Sequence, residues 1–278
     1  MALSASRTTA RSVGEHAGLP AFSPPLKWAG GKRWQIPYLS AIWRAHAHRR
    51  LVEPFCGGLA VALGLAPKRA LLNDANPHLI NFYRWLQRGL VTDIEMANDE
   101  SLFNRQRARF NELLQTGGQA SAEAAGLFYF LNRTGYNGLC RFNKQGEFNV
   151  PFGRYKTIKY RRDFRPYAIR IRDWAFSSAD FAALALASDD FIYADPPYDV
   201  QFTAYAQGGF SWDDQIRVAE CFARHEGPVV LVNQSTRRIE ELYRSLRYAI
   251  EHLDAPRRIS CTGDRRPARE VVAVRNLN

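Results

Sequence analysis

The chain lacks long apolar runs: the longest, such as Phe181–Ala187, fall well short of the 18 or more residues that cross a bilayer, so no membrane span is expected. Cysteine is sparse. Cys56, Cys140, Cys221 and Cys261 are scattered, with no C-x-x-C pair and no closely spaced histidine, which argues against a zinc site or a disulfide framework and for a reducing compartment. Neither G-x-G-x-x-G nor G-K-[ST] occurs, so a pyrophosphate-binding loop is not expected. The leader carries Arg7, Arg11 and Glu15 but no apolar stretch, unlike a secretory signal, and 1–22 reads as a loose tail.

What is present is a globular composition over 278 residues, 46% hydrophobic and 23% charged, with a formal charge of +11. Lysine supplies only 6 of the 38 basic residues, and the arginine bias suits bidentate contacts to phosphates and guanine edges. From Arg133 to Arg172, eight arginines and three lysines face only Glu147 and Asp163. A solvated basic face is the plain reading. The interleaved Tyr136, Phe142, Phe148, Phe152, Tyr155, Tyr160, Phe164 and Tyr167 favour a nucleic-acid surface.

Short apolar runs ending in turns predict parallel strands at Leu51–Glu53, Ala70–Asn73, Phe191–Ala194 and Val229–Val232. Helical patterns follow Ser211-x-x-Asp214, a capping box, and Thr236. This alternation implies an α/β sheet with chemistry at the strands' carboxyl ends. Tyr248–Leu253 and Glu270–Val274, joined by the basic Ala255–Arg269 loop, predict an antiparallel terminal hairpin. Residues 82–172 break the rhythm with polar helices over Asp93–Leu114, an apolar helix around Ala122–Leu131 and the basic-aromatic block; they read as an inserted lobe between catalytic portions 23–81 and 173–278.

Two motifs carry chemistry. Leu51-Val-Glu-Pro-Phe-Cys-Gly-Gly runs from a strand into a glycine turn, where Gly57 and Gly58 let backbone approach a ligand; Asp74, ending the next strand, lies where α/β nucleotide sites hold ribose hydroxyls. By itself a glycine turn is equally well just a turn. Asp195-Pro196-Pro197-Tyr198 is more specific. An exocyclic amine is a poor nucleophile because its lone pair is delocalised into the ring. A carboxylate and the Pro196 carbonyl can accept its N–H bonds, two prolines stiffen the loop, and Tyr198 offers a stacking face.

Lys27-Trp-Ala-Gly-Gly-Lys32, Glu53-Pro-Phe-Cys-Gly-Gly58, Asn73-Asp-Ala-Asn76, Leu131-Asn-Arg-Thr-Gly-Tyr-Asn-Gly-Leu-Cys-Arg141, Phe148-Asn-Val-Pro-Phe-Gly-Arg-Tyr155 and Asp195-Pro-Pro-Tyr198, in this order, resemble the Dam-type (D12 class, α-group) DNA adenine-N6 methyltransferases over about Pro25 to Val272. The resemblance implies a Rossmann-like α/β methyltransferase fold with an inserted, mainly helical recognition domain. It further implies S-adenosylmethionine as donor, adenine in double-stranded DNA as acceptor, base flipping, and GATC as the commonest site. The implied cofactor set is Trp28, Lys32, Glu53, Phe55, Gly57, Asp74, Asp180, Phe181 and Asp195; the catalytic set is Asp195, Pro196, Pro197 and Tyr198. Asn137, Leu139, Arg141, Pro151 and Tyr155 match positions that meet DNA, with Arg141 reading a guanine edge. A monomer or weak dimer in the cytoplasm is expected, with no metal and with room for a cognate restriction endonuclease acting on the same site.

Leu59, Phe142 and the short link from Tyr198 to Phe202-Thr-Ala-Tyr205 depart from the family pattern. Cytosine-N4 methylation uses a similar loop and is the enzymatic alternative, although Asp rather than Ser at its head favours adenine. A catalytically silent DNA-binding protein is the other.

Overall fold

The computed structural model describes residues 22–199, 209–255 and 268–277. The expected leader tail, the Phe202–Tyr205 link, Cys261 and most of the Ala255–Arg269 loop lie outside these residues. Seven strands form one sheet: β1 (Leu51–Glu53), β2 (Ala70–Asn73), β3 (Trp174–Ser177), β4 (Phe191–Ala194), β5 (Val229–Gln234), β6 (Ala249–Ala255) and β7 (Ala268–Arg275), in the order β3-β2-β1-β4-β5-β7-β6. β3, β2, β1, β4 and β5 run parallel, and β7 pairs antiparallel with β5 and β6. β3 had no clear signal because its pattern is only part buried, Ala175 lying exposed.

The central strands read as unbroken apolar runs because both sheet faces are covered. Leu51, Phe191, Tyr193, Val230 and Val232 join one core, while Val52, Ile192, Ala194, Val229 and Leu231 join another. The second core packs on helices α7 (Trp212–Ala223) and α8 (Arg237–Ser245). Ser211 and Asp214 form the predicted capping box, and Thr236 caps α8. The first core includes residues of α1 (Ile36–His46), α2 (Ala60–Leu65) and α3 (Pro77–Gln87) and continues without a break into the inserted part.

That part contains α4 (Glu100–Gln115), α5 (Ala122–Thr134) and α6 (Arg165–Arg170). Helix α4 begins later than the polar pattern suggested, at the Asp99 cap, whose carboxylate accepts from Leu102 N. α5 is buried on nearly every side, so its apolar composition is that of a central helix. The sequence division at 81/82 falls inside α3, whose Ile80 and Phe82 are both fully buried. Sheet and inserted part therefore share one hydrophobic interior.

The basic-aromatic block separates differently from the expected interleaved surface. Phe148, Phe164 and Tyr167 are buried, and Phe142, Phe152 and Tyr155 are half-buried; only Tyr136 and Tyr160 of the eight are exposed. With little regular structure between α5 and α6, aromatics supply the packing there while the cations turn outward. No helix among the described residues is long and apolar enough to cross a membrane.

Candidate active site

The sheet order reverses between β1 and β4, the crevice where open α/β sheets bind ligands. A cleft of about 1090 Å³ opens there, lined by the loops after β1, β2 and β4, by Trp28 to Lys32, and by Cys140, Arg141 and Phe142 of the inserted lobe. Asn73 holds its floor. The Asn73 amide donates to the Pro54 and Ala179 carbonyls, both at 3.0 Å, and its side-chain oxygen accepts from Ala179 N, joining the turns that follow β1 and β3.

Asp74 accepts from Gly57 N at 3.1 Å and Asn76 N at 2.9 Å. Burial raises its pKa against these two bonds. Gly57 adopts φ +42°, and a Cβ there would meet Trp28 Nε1 at 2.7 Å; one on Gly58 would meet Trp28 Cβ at 2.8 Å. The glycine pair thus seats the Trp28 side chain. Phe55, Phe181 and Phe210 cluster at another part of the cleft, with Phe55 5.5 Å from Phe181 and 5.9 Å from Phe210. Asp180 accepts from Ala182 N and pairs with Arg217, whose guanidinium also lies over the Phe181 ring.

The Asp195 loop follows β4 directly. Asp195 Oδ2 lies 3.0 Å from Lys32 Nζ, while buried Oδ1 has no hydrogen-bond partner. Burial raises the Asp195 pKa, and Lys32 opposes the shift. Lys32 itself is 5% exposed; it donates to the Gly30 carbonyl, sits 4.5 Å from the Tyr198 ring centroid and 3.9 Å from Glu270 Oε1. Gln215 donates to the Pro197 carbonyl at 2.8 Å, and Asn233 donates to Gln215 at 2.9 Å, so a buried amide chain holds the loop from behind. Glu53 is 2% exposed with one oxygen unpartnered; burial, then Asp195, pushes its pKa well up.

Of the five residues expected to meet DNA, the cleft lining includes Arg141 but not Asn137, Leu139, Pro151 or Tyr155. The Arg141 Nε and Nη2 donate to the Asn149 side chain and carbonyl at 2.8 and 3.0 Å across a hairpin closed by the Phe142–Phe148 bridge. Asn137 (φ +52°) and Pro151 are exposed, and Leu139 is half-buried. Tyr155 is more committed to structure: its hydroxyl donates to the Gly135 carbonyl at 2.9 Å, and Lys27 Nζ lies 3.5 Å from its ring centroid. Phe142 stacks on His78 at 4.8 Å.

Some site residues had no separate signal in the sequence. Lys27 belongs to the same short block as Trp28, yet its ammonium turns to the lobe, donating to the Arg133 carbonyl, and burial lowers its pKa to about 8. Phe210, Gln35 and Glu270 stand in no motif; only the pairing of β7 beside β5 brings Glu270 to the site.

A mostly parallel sheet with antiparallel end strands, an inserted lobe, and a carboxylate-headed loop at the end of β4 define a Rossmann-like methyltransferase. The chain belongs to the D12 class N6 adenine-specific DNA methyltransferases, whose family model matches residues 28–259. It is 35% identical over 264 residues to the Retron Ec67 DNA adenine methylase of Escherichia coli, covering 90% of each chain. It is 36% identical over 262 residues to a DNA adenine methylase of Vibrio cholerae, covering 86% of this chain and 90% of the relative. The Type II methyltransferase M1.LlaDCHI of Lactococcus lactis is 32% identical over 255 residues, with 84% and 88% covered. The protein is an adenine-specific DNA methyltransferase.

Proposed function

We propose that the donor is S-adenosylmethionine, that the target adenine is rotated out of duplex DNA into the cleft, and that the preferred site is GATC. The observation that carries the reaction is Asp195: one oxygen is tied to Lys32, and the other is buried without a partner in the cleft wall. An isolated buried acceptor is costly, so this oxygen favours a donor delivered by substrate. Asp195 Oδ1 and the Pro196 carbonyl take the two N6–H bonds, turning the nitrogen lone pair out of the purine plane. Pro196 and Pro197 stiffen the loop. The base stacks on the Tyr198 face opposite Lys32, which offsets part of the few kcal/mol that flipping costs, at about 1–3 kcal/mol per stacked base.

The cleft fits the donor by chemistry. Phe55 and Phe181 offer an aromatic wall against which an adenine can pack, Asp74 a carboxylate for ribose hydroxyls, and the free Glu53 oxygen an acceptor for an ammonium. Trp28, Gly57, Lys32 and Asp180 complete the set, with Phe210 added by the structure. When bound, S-adenosylmethionine supplies a methyl group made electrophilic by its sulfonium.

Residues 23–81 and 173–278 carry the transfer, and 82–172 recognise the target. Exposed Lys144, Lys156, Lys159, Arg161 and Arg162 give the lobe a phosphate-binding face. GATC rests on the match of 131–155 to the family's recognition block. Arg141 reads guanine with the donors that Asn149 leaves unused, and Asn137, Leu139, Pro151 and Tyr155 add further contacts to DNA. A cytoplasmic monomer or weak dimer suits one such cleft, and the Lactococcus relative's name supports a restriction-modification setting. Expression in a host without other methylases, followed by nucleoside mass analysis and methylation sequencing, tests this reading. N6-methyladenine confined to GATC is expected; N4-methylcytosine alone overturns it.

A further inference from the structure

Two carboxylates, Asp195 after β4 and Glu270 of β7, flank the ammonium of Lys32, and Asp195 also raises the pKa of buried Glu53 of β1. Glu270 is outside every motif, yet it is 6% exposed and held on both sides. Gln35 donates to its Oε2 at 2.7 Å, and the Tyr193 hydroxyl donates to the Gln35 oxygen at 2.9 Å, both buried bonds. Lys32 and Gln35 come from one tight turn, in which Gln35 N donates to the Lys32 carbonyl at 2.9 Å. The Tyr198 hydroxyl lies beside both Asp195 and Glu270 without the geometry of a full hydrogen bond to either. A carboxylate this well fixed, 3.9 Å from the ammonium that grips Asp195, has a purpose beyond filling space.

We propose that Glu270 is a positioning residue for methyl transfer, the second counter-ion that holds Lys32 when Asp195 is neutralised. This inference rests on the role proposed above for Asp195. When the N6–methyl bond forms and the methyl–sulfur bond breaks, the amine carries one proton too many; it passes to Asp195 Oδ1 and leaves with product release. At that moment Lys32 would be a buried cation without an anion, a costly state. Glu270 supplies the anion and, by sharing Lys32, keeps Asp195 a better proton acceptor. The groups facing Glu270 are Lys32, Asp195, Tyr198 and Tyr193, and burial followed by nearby Asp195 raises its own pKa against Lys32.

Glu270→Gln keeps the shape and the Gln35 neighbour but removes the charge. Lys32 then serves Asp195 alone, so carboxyl-carbon NMR of the free protein should show Asp195 titrating lower, by about one pH unit. The acid limb of single-turnover transfer should move the same way, with the rate down about tenfold or more. Glu270→Asp should recover part of both. If Glu270→Gln leaves the Asp195 titration and the acid limb in place, the proposal is overturned, whatever happens to thermal stability. If Glu270→Gln does not fold, Gln35→Leu decides, since it unclamps Glu270 without deleting charge: the same downward shift supports the proposal and an unmoved titration overturns it. Full transfer by Asp195→Asn would sink the Asp195 reading itself, a separate outcome.

Discussion

The cleft and the inserted lobe handle charge in opposite ways. At the cleft, Lys32, Glu53 and Glu270 are buried and half-buried Asp195 is set among them, so each oxygen's partner, or lack of one, decides its chemistry. In the lobe, most cations stand in solvent, while the aromatics between them are buried or half-buried except Tyr136 and Tyr160. Low dielectric makes a few buried groups strong and intolerant of change; solvent makes many exposed ones weak and interchangeable. On the proposed function, a small, stiff amine-orienting site is thereby joined to a broad, salt-sensitive grip.

The largest test of this contrast is Asp195→Asn. It should lower single-turnover transfer by about a thousandfold or more while leaving duplex affinity within about twofold; a loss shared equally by binding and transfer would break the separation. Next, Arg141→Ala should cost about 1–3 kcal/mol of discrimination at one base pair, read by competition between sites differing at that pair. Equal weakening on every sequence would assign Arg141 to phosphate.

One contact between the regions is His78, stacked on Phe142 of the Arg141–Asn149 hairpin and held by burial at a pKa of about 4. Its folded pKa is depressed, so the folded form binds fewer protons than the unfolded chain. The stability it adds is complete above about pH 6.5 and is lost as pH falls toward 4, about 1–2 kcal/mol after allowance for its partial exposure. Urea unfolding at pH 7 and 4.5 should show this loss, and His78→Leu should diminish it. The smallest effect belongs to Lys156 and Lys159: alanine at either should leave sequence choice unchanged and reduce the salt slope of DNA binding by about one.

Much of the catalytic half was legible because its strands are buried on both faces and end in rare turn motifs, as Glu53-Pro-Phe-Cys-Gly-Gly and Asp195-Pro-Pro-Tyr do. The lobe was less legible. An aromatic in an irregular segment has no period to show whether it packs or protrudes, and so Phe148, Phe164 and Tyr167 were read as surface when they are core. The glycines after β1 were read as making room for a ligand; they line the cleft, and a Cβ at either would also strike Trp28, a neighbour 29 or 30 residues away in the chain.

Sequence alone determined the alternation of strands and helices, the adenine-directed family and the position of the Asp195-Pro-Pro-Tyr198 loop, because local pattern and rare short motifs carry those. Only tertiary structure decided which oxygen of Asp195 is free, that Lys27 faces the lobe rather than the cleft, and that Glu270 shares Lys32. Those facts depend on antiparallel pairing and on packing between residues more than one hundred positions apart, distances over which side-chain order along the chain carries no information.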